Sequence, residues 1–241
     1  MDPKQEAVGA AFSLIKNNTT IGLGDGSTMI RLADRLVEGS RNGLNLKIYT
    51  SSYSTGDFLR NAGIATLDIS LTDQLDQYFD GCDQIDTDLN VLKSGSGIHT
   101  SEKLLASMAK QFIIVADDSK FVSRLTNKFP LVLEVLPQST HFVNRKMKLL
   151  FREVSLLTRI ENLSEKPVIT RNGNYLIDCR FPELPDLQLL QNACKNIAGV
   201  VEISLFYKMV SQAIIADIHG TRRYERNTDG VSLISQDSFY I

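Results

Sequence analysis

Phe112-Ile113-Ile114-Val115-Ala116 is an unbroken apolar run, and the polar Asp117-Asp118-Ser119-Lys120 follows it at once. A run this short, β-branched at its centre, reads as a strand buried on both faces. Before it, Thr100 to Ala109 has helical spacing of apolar residues. The same alternation runs back to the N-terminus. Ala7 to Ile15, Met29 to Val37 and Ser54 to Asn61 read as helices. Thr19 to Leu23, Leu46 to Tyr49, Ile64 to Ile69 and Gln77 to Asp80 read as strands, with Asn90-Val91-Leu92 a short one ending at Lys93. Helix and strand in alternation predict an α/β fold, a mainly parallel sheet with helices on both faces.

The character changes at Phe129-Pro130. Leu131 to Leu136 reads as a strand, Ser139 to Phe151 as a helix and Val154 to Thr158 as a strand. Val168 to Thr170 and Tyr175 to Cys179 flank Arg171-Asn172-Gly173-Asn174, and Asn-Gly between apolar runs is a hairpin signal. Leu187 to Asn196 then reads as a helix and Val200 to Phe206 as a strand. That order marks an inserted ferredoxin-like α+β unit over 130–206. Residues 1–129 and 207–241 are then the larger domain, with Gln212 to Ile218 returning as a strand to its sheet. Thr221 to Arg226 is polar, its Arg222, Arg223 and Arg226 reading as a solvated edge, and the tail beyond shows little periodicity.

Composition narrows the function. With 241 residues, 43% apolar and 22% charged, the chain can bury a sizeable core. A net charge of −2 removes bulk attraction to nucleic acid or anionic lipid. No apolar stretch approaches the ~20 residues that span a bilayer, and the N-terminus lacks the layout of a secretory signal. Cys82, Cys179 and Cys194 form no CxxC pair, which argues against a disulfide framework or a zinc site and for a reducing cytoplasm. His141 and His219 lack spaced partners for a metal.

Open parallel sheets bind ligands at the carboxyl ends of their strands. Gly24 to Thr28, Thr50 to Thr55, Asp80 to Asp83, Lys93 to Gly97 and Ala116 to Lys120 are candidate rim loops. Gly24-Asp25-Gly26-Ser27-Thr28 at a helix start suits an anion such as phosphate, or simply a glycine turn with a Ser or Thr cap. Asp80 and Asp83, Lys93 and Glu102 offer proton carriers and a cation for developing negative charge. Taken locally they read equally as acidic surface turns and a Glu complementing a helix dipole.

Together, Asp80-Gly81-Cys82-Asp83-Gln84-Ile85, Lys93-Ser94-Gly95-Ser96-Gly97 and Thr100-Ser101-Glu102-Lys103 resemble ribose-5-phosphate isomerase type A. That family carries D-G-A-D-E-I, K-G-G-G and T-R-E-K in the same order. Gly24 to Thr28 is similar to its G-T-G-S-T, Ala116 to Lys120 to its A-D-x-S-K, and Phe129 to Val135 to its F-P-L-P-V-E-V. The resemblance implies a Rossmann-like domain with an inserted ferredoxin-like domain. It implies a cofactor-free and metal-free aldose–ketose isomerase acting on a sugar phosphate, D-ribose 5-phosphate to D-ribulose 5-phosphate, in the non-oxidative pentose phosphate pathway. A homodimer or homotetramer is also implied. Glu102 takes the proton-acceptor position. Asp25, Gly26, Ser27 and Thr28, Asp80, Gly81, Cys82 and Asp83, Lys93, Ser94, Gly95 and Ser96, and Lys120 take substrate-binding positions. Chemically, Glu102 would move the proton between C2 and C1 while Lys93 steadies the enediolate; Asp80 would move a proton between the two oxygens and Asp83 help open the ring.

Several positions depart from the family pattern. Asp25 stands where the family has Thr, Ser94 and Ser96 replace glycines, and Gln84 replaces Glu. The family's N-terminal lysine falls at about Gln5, with Lys4 adjacent. Cys82 reads as a small buried filler and His99 as a solvent-facing loop residue. Rival readings are a sugar-phosphate sensor like the ligand domains of DeoR-type repressors, an amino-sugar-phosphate deaminase, and an isomerase relic kept for assembly.

Overall fold

The computed structural model describes residues 2–161 and 165–238. In chain order its strands are β1 (Thr19–Leu23), β2 (Leu46–Thr50), β3 (Leu75–Asp80), β4 (Gln84–Asp86), β5 (Val91–Leu92), β6 (Ala109–Asp117), β7 (Phe121–Val122), β8 (Leu131–Val135), β9 (Ser155–Thr158), β10 (Tyr175–Arg180), β11 (Val200–Ile203), β12 (Leu205–Phe206), β13 (Gln212–Ala216), β14 (Gly220–Asn227) and β15 (Gly230–Ser238). Its helices are α1 (Pro3–Ser13), α2 (Ser27–Arg41), α3 (Tyr53–Asn61), α4 (His99–Met108), α5 (Thr140–Leu150) and α6 (Leu187–Lys195).

The fold is mixed α/β around a seven-stranded sheet of order β15-β14-β13-β6-β3-β1-β2. Pairing is parallel from β2 across to β13 and antiparallel through β14 and β15. The apolar run quoted first is the middle of β6, and all five of its residues are buried. Alternate side chains enter different cores. Ile113 and Val115 pack with α1, α2 and α3 on one face, and Phe112 and Ile114 pack with Leu105 of α4 and Phe206 on the other. Each such side chain contributes about 1.5–3 kcal/mol of burial.

A second sheet, β11-β8-β10-β9, is antiparallel throughout and packs α5 and α6 on one face. A third, β12-β5-β4-β7, is small and joins the two. No helix among the described residues is long and apolar enough to cross a membrane.

Four segments differ from the sequence reading. Residues 64–69 form no strand: they lie outside β2 and touch it through one bridge, Tyr49 to Leu67. Val200 to Phe206 is split at Ser204, whose backbone N–H bonds Val132 O at 2.8 Å, so β11 and β12 enter different sheets. The Asn172-Gly173 turn closes as expected, with Thr170 N to Asn174 O at 2.8 Å, but its first arm is a single bridge and β10 pairs with β9. The polar stretch after 220 is a long hairpin. Arg222 pairs with Asp118 and Asp217, and Arg226 donates to Val210 O at 3.1 Å, so this edge is anchored rather than merely solvated. Asp229-Gly230 was its available turn signal.

Candidate active site

β3 ends at Asp80, and β1 runs on to Gly24, whose N–H bonds Phe79 O at 2.9 Å. The two loops leaving these strands therefore touch. A Cβ on Gly24 would lie 1.9 Å from Asp80 Oδ1, so only glycine fits beside that carboxylate. Lys93 does not follow a strand of the main sheet. It follows β5 of the small third sheet, and its backbone N–H bonds Ser204 O at 3.0 Å. Glu102 sits in the first turn of α4.

These elements bring three charged groups together. Lys93 Nζ lies 2.9 Å from Asp80 Oδ2 and 3.2 Å from Glu102 Oε1, and donates to Gly81 O at 2.8 Å. Asp80 is wholly buried and its acceptors are occupied. Oδ2 also takes the Tyr78 hydroxyl at 2.6 Å, and Oδ1 takes the N–H groups of Gly81 at 2.7 Å and Asp25 at 3.3 Å. Glu102 is equally buried, yet among the described residues neither of its oxygens has a well-aligned hydrogen-bond donor; Lys93 pairs with Oε1 at 3.2 Å.

Burial pushes the Glu102 carboxyl up to about 8, against the pull of Lys93 and with further push from Asp80 and Asp25. Burial opposes the Lys93 ammonium, but Asp80 and Glu102 outweigh it and hold its pKa above the ordinary lysine value. At neutral pH Glu102 is thus largely protonated beside the Lys93 ammonium, and burial also raises the Asp80 carboxyl, against Lys93, the Tyr78 hydroxyl and the Gly81 N–H.

Beside it opens a cavity of about 200 Å³. Lys93, Glu102 and Asp83 form one part of its wall, with Gly81 and Cys82 next to them, and Gly95 and Ser96 contribute from the following loop. Asp25, Gly26, Ser27 and Thr28 line another part, and Lys120 a third. Two predicted residues stand off the wall. Asp80 lies behind Lys93, and Ser94 turns its hydroxyl to Pro130 O at 2.5 Å. Four residues not on the predicted set, Lys4 and the β6 residues Val115, Ala116 and Asp117, complete the lining. Lys4 arrives because α1 begins at Pro3, capped by Asp2, four residues before the apolar spacing starts. Asp-Pro is a helix-start signal that would have revealed this.

α2 opens at Ser27 behind Gly26, and no side chain caps it. The cap reading of Ser27 or Thr28 therefore does not hold, and the first-turn N–H groups and two hydroxyls sit at the cavity with Lys120 and Lys4. Asp25 is tied back to α3: Ser52 and Ser54 donate to Oδ1, the latter at 2.8 Å. Burial works to raise its pKa, but these hydroxyls and the Gly26 N–H prevail and hold it below the usual value. Asp83 Oδ2 accepts the N–H of Gly95 at 2.9 Å and that of Ser94 at 2.5 Å.

The serine-for-glycine departures carry no backbone penalty, since neither Ser94 nor Ser96 has a positive φ. Gln84 is structural, bonded to Thr126 N at 2.7 Å. Cys82 is a half-buried residue that packs against the core and also lines the wall, and burial pushes its thiol up to about 12. His99 is fully buried at the start of α4, not solvent-facing, because that turn packs under the second sheet. Burial, with Lys103, pushes it down to about 4.

The family description ribose 5-phosphate isomerase A (phosphoriboisomerase A) matches residues 47–220. The chain belongs to this family. Ribose-5-phosphate isomerase A of Thermosynechococcus vestitus is 35% identical over 219 residues, which cover 89% of this chain and 91% of that protein. The Bacillus mycoides ribose-5-phosphate isomerase A is 35% identical over 225 residues, covering 93% and 100%. Among solved structures, ribose 5-phosphate isomerase A from Methanocaldococcus jannaschii superposes with a TM-score of 0.83 at 29% identity, covering 97% of this chain and 98% of that one. A D-ribose-5-phosphate isomerase in complex with phospho-erythronic acid gives 0.87 at 28% identity, covering 94% and 100%.

Proposed function

We propose that the chain interconverts D-ribose 5-phosphate and D-ribulose 5-phosphate, with Glu102 as the proton carrier. The observation that carries this reading is the Glu102 carboxyl itself. It is buried at a cavity wall, 3.2 Å from an ammonium, with no well-aligned hydrogen-bond donor among the described residues. In its ionised form a carboxyl so held is basic enough to take a carbon-bound proton. A passive sugar-phosphate receptor gains nothing from that expense.

The phosphate lies at the α2 N-terminus with Ser27, Thr28, Lys120 and Lys4, which places C1 and C2 toward Lys93 and Glu102. Glu102 removes the C2 proton from the open-chain aldose and delivers it to C1 on the same face of a cis-enediolate. Lys93 steadies the negative charge that grows on O1 and O2. Asp80, off the wall and saturated by donors, acts by fixing the Lys93 ammonium rather than by moving protons. Asp83 is the carboxylate at the wall that serves ring opening and exchange between the oxygens. The phospho-erythronic acid carried by the solved isomerase pairs a phosphate with a planar, charge-delocalised carboxylate that stands in for the planar anion of the enediolate. We further read 130–206 as the ferredoxin-like domain, supported by the β11-β8-β10-β9 order, and 1–129 with 207–241 as the catalytic one. The family resemblance supports a cytoplasmic homodimer or homotetramer.

The test is to supply D-ribose 5-phosphate in D2O and follow D-ribulose 5-phosphate and its label. Product part-labelled at C1 is expected, because the proton held by Glu102 exchanges with solvent while the enediolate lasts. Binding without turnover would favour the sensor reading, and turnover undiminished in Glu102→Gln would remove Glu102 as the proton carrier.

A further inference from the structure

The loop that carries the reactive groups is held from the second sheet. Arg159 leaves the end of β9 with its backbone fixed in the ladder, its N–H bonding Leu176 O and its carbonyl accepting from Val168 N, both at 2.8 Å. Its guanidinium donates Nη2 to Ser94 O at 2.8 Å and Nη1 to Gly95 O at 3.0 Å. Asp178 on β10 orients it, accepting Nη2 at 2.6 Å and Nε at 3.3 Å. The N–H groups of the same two residues, Ser94 and Gly95, are bonded to Asp83. The backbones of the two residues after Lys93 are thus gripped from both sides, by a cation on their carbonyls and an anion on their N–H groups.

The next residues are seated on the same sheet. Gly97 has φ 71°, and a Cβ there would lie 2.5 Å from Leu176 Cδ1, so the chain passes flush against β10. Thr100, in the first turn of α4, donates to the buried Glu134 of β8. Lys93 and Glu102 flank this gripped segment.

We propose that Arg159, oriented by Asp178, is a positioning residue that sets the Lys93–Glu102 geometry by holding the 94–95 carbonyls. The inference rests on the isomerase reading for its kinetic arm only. Removing the guanidinium leaves the phosphate contacts intact and lets the loop shift, and a displacement of about 1 Å at reacting groups costs up to roughly 100-fold in rate. For Arg159→Met, kcat is therefore expected to fall roughly 10- to 100-fold, with KM changed less than about 3-fold. Arg159→Lys keeps the charge but lacks the fork that spans two carbonyls, and it should restore only part of the rate. Asp178→Asn should lower kcat less, and adding it to Arg159→Met should cost little more, because both act through one contact.

Hydrogen exchange on the same proteins supplies the second arm. Faster exchange at 93–102, with 24–28 unchanged, is expected in Arg159→Met. Wild-type kcat in Arg159→Met, full additivity with Asp178→Asn, or unaltered exchange at 93–102 would each overturn the proposal. Should Arg159→Met fail to fold, the kinetic split and exchange of Asp178→Asn and Arg159→Lys decide the matter in the same way. A wild-type chain inactive on ribose 5-phosphate would instead overturn the isomerase reading, and the exchange arm would still decide the role of Arg159.

Discussion

Replacing Glu102 by Gln should make the protein more stable as it makes it inactive, and the gain should depend on pH. The carboxyl titrates near 8 in the folded chain against an ordinary 4.5. A raised carboxyl pKa means that the folded state holds a proton the unfolded state has released. Stability is therefore undiminished below about 4.5 and falls as pH rises from there to about 8. At pH 7 the gap of 7 − 4.5 = 2.5, at 1.36 kcal/mol each, costs the fold about 3 kcal/mol. Gln has nearly the same shape and cannot ionise, so it removes this cost. For a chain of this length that is a rise in Tm of roughly 6–12 °C at pH 7, and close to none at pH 4.5. Thermal unfolding of both proteins from pH 4.5 to 8.5 measures it. Parallel turnover should show kcat down by about 100- to 10,000-fold, with ribose 5-phosphate still bound. An equal Tm difference at pH 5 and pH 8, or a variant less stable at pH 8, would refute the burial argument. A kcat above a few per cent of wild type would remove Glu102 as the base.

Three other outcomes follow from the same geometry. In the wild type, kcat/KM should rise with pH along an acidic limb centred near 8, as Glu102 sheds its proton; a rate flat from pH 6 to 9 would contradict it. Lys93→Met strands Asp80 in the interior, since the ammonium 2.9 Å away is its one ionic partner among the described residues. Denaturant titration at pH 8 should show a loss of about 3–5 kcal/mol, recovering toward pH 5 as carboxyls protonate, with kcat reduced more than substrate affinity. Gly24→Ala drives a methyl into the Asp80 carboxylate. It should cost at least about 2 kcal/mol and most activity, whereas a fully active, fully stable variant would show that the contact relaxes freely.

Much of this was present in the order of residues. The run at 112–116 marked the central strand because a strand buried on both faces has no polar position to spare. The loops at 24–28, 80–83 and 116–120 marked the rim, because parallel strands put glycine, hydroxyl and acidic residues at their carboxyl ends, whereas the loop at 93–97 reaches it from an antiparallel strand of the third sheet. Lys4 was legible in Asp2-Pro3 and the final hairpin in Asp229-Gly230, both local signals. Residues 64–69 misled because β-branched and apolar residues also suit an extended loop, and strand status depends on a partner the local sequence does not name.

What the sequence by itself determined is the alternation of elements and the kinds of group brought to the rim, since periodicity and turn chemistry act over a few residues. What the tertiary structure alone decided is what those groups do. Asp80 and Asp83 are equivalent in sequence, yet one is saturated behind Lys93 and the other faces the cavity. Glu102 is an unremarkable first-turn glutamate until β3 and β5 enclose it with an ammonium. Proton affinity depends on water exclusion and on distances between charges far apart along the chain, and these exist only once the sheets have packed.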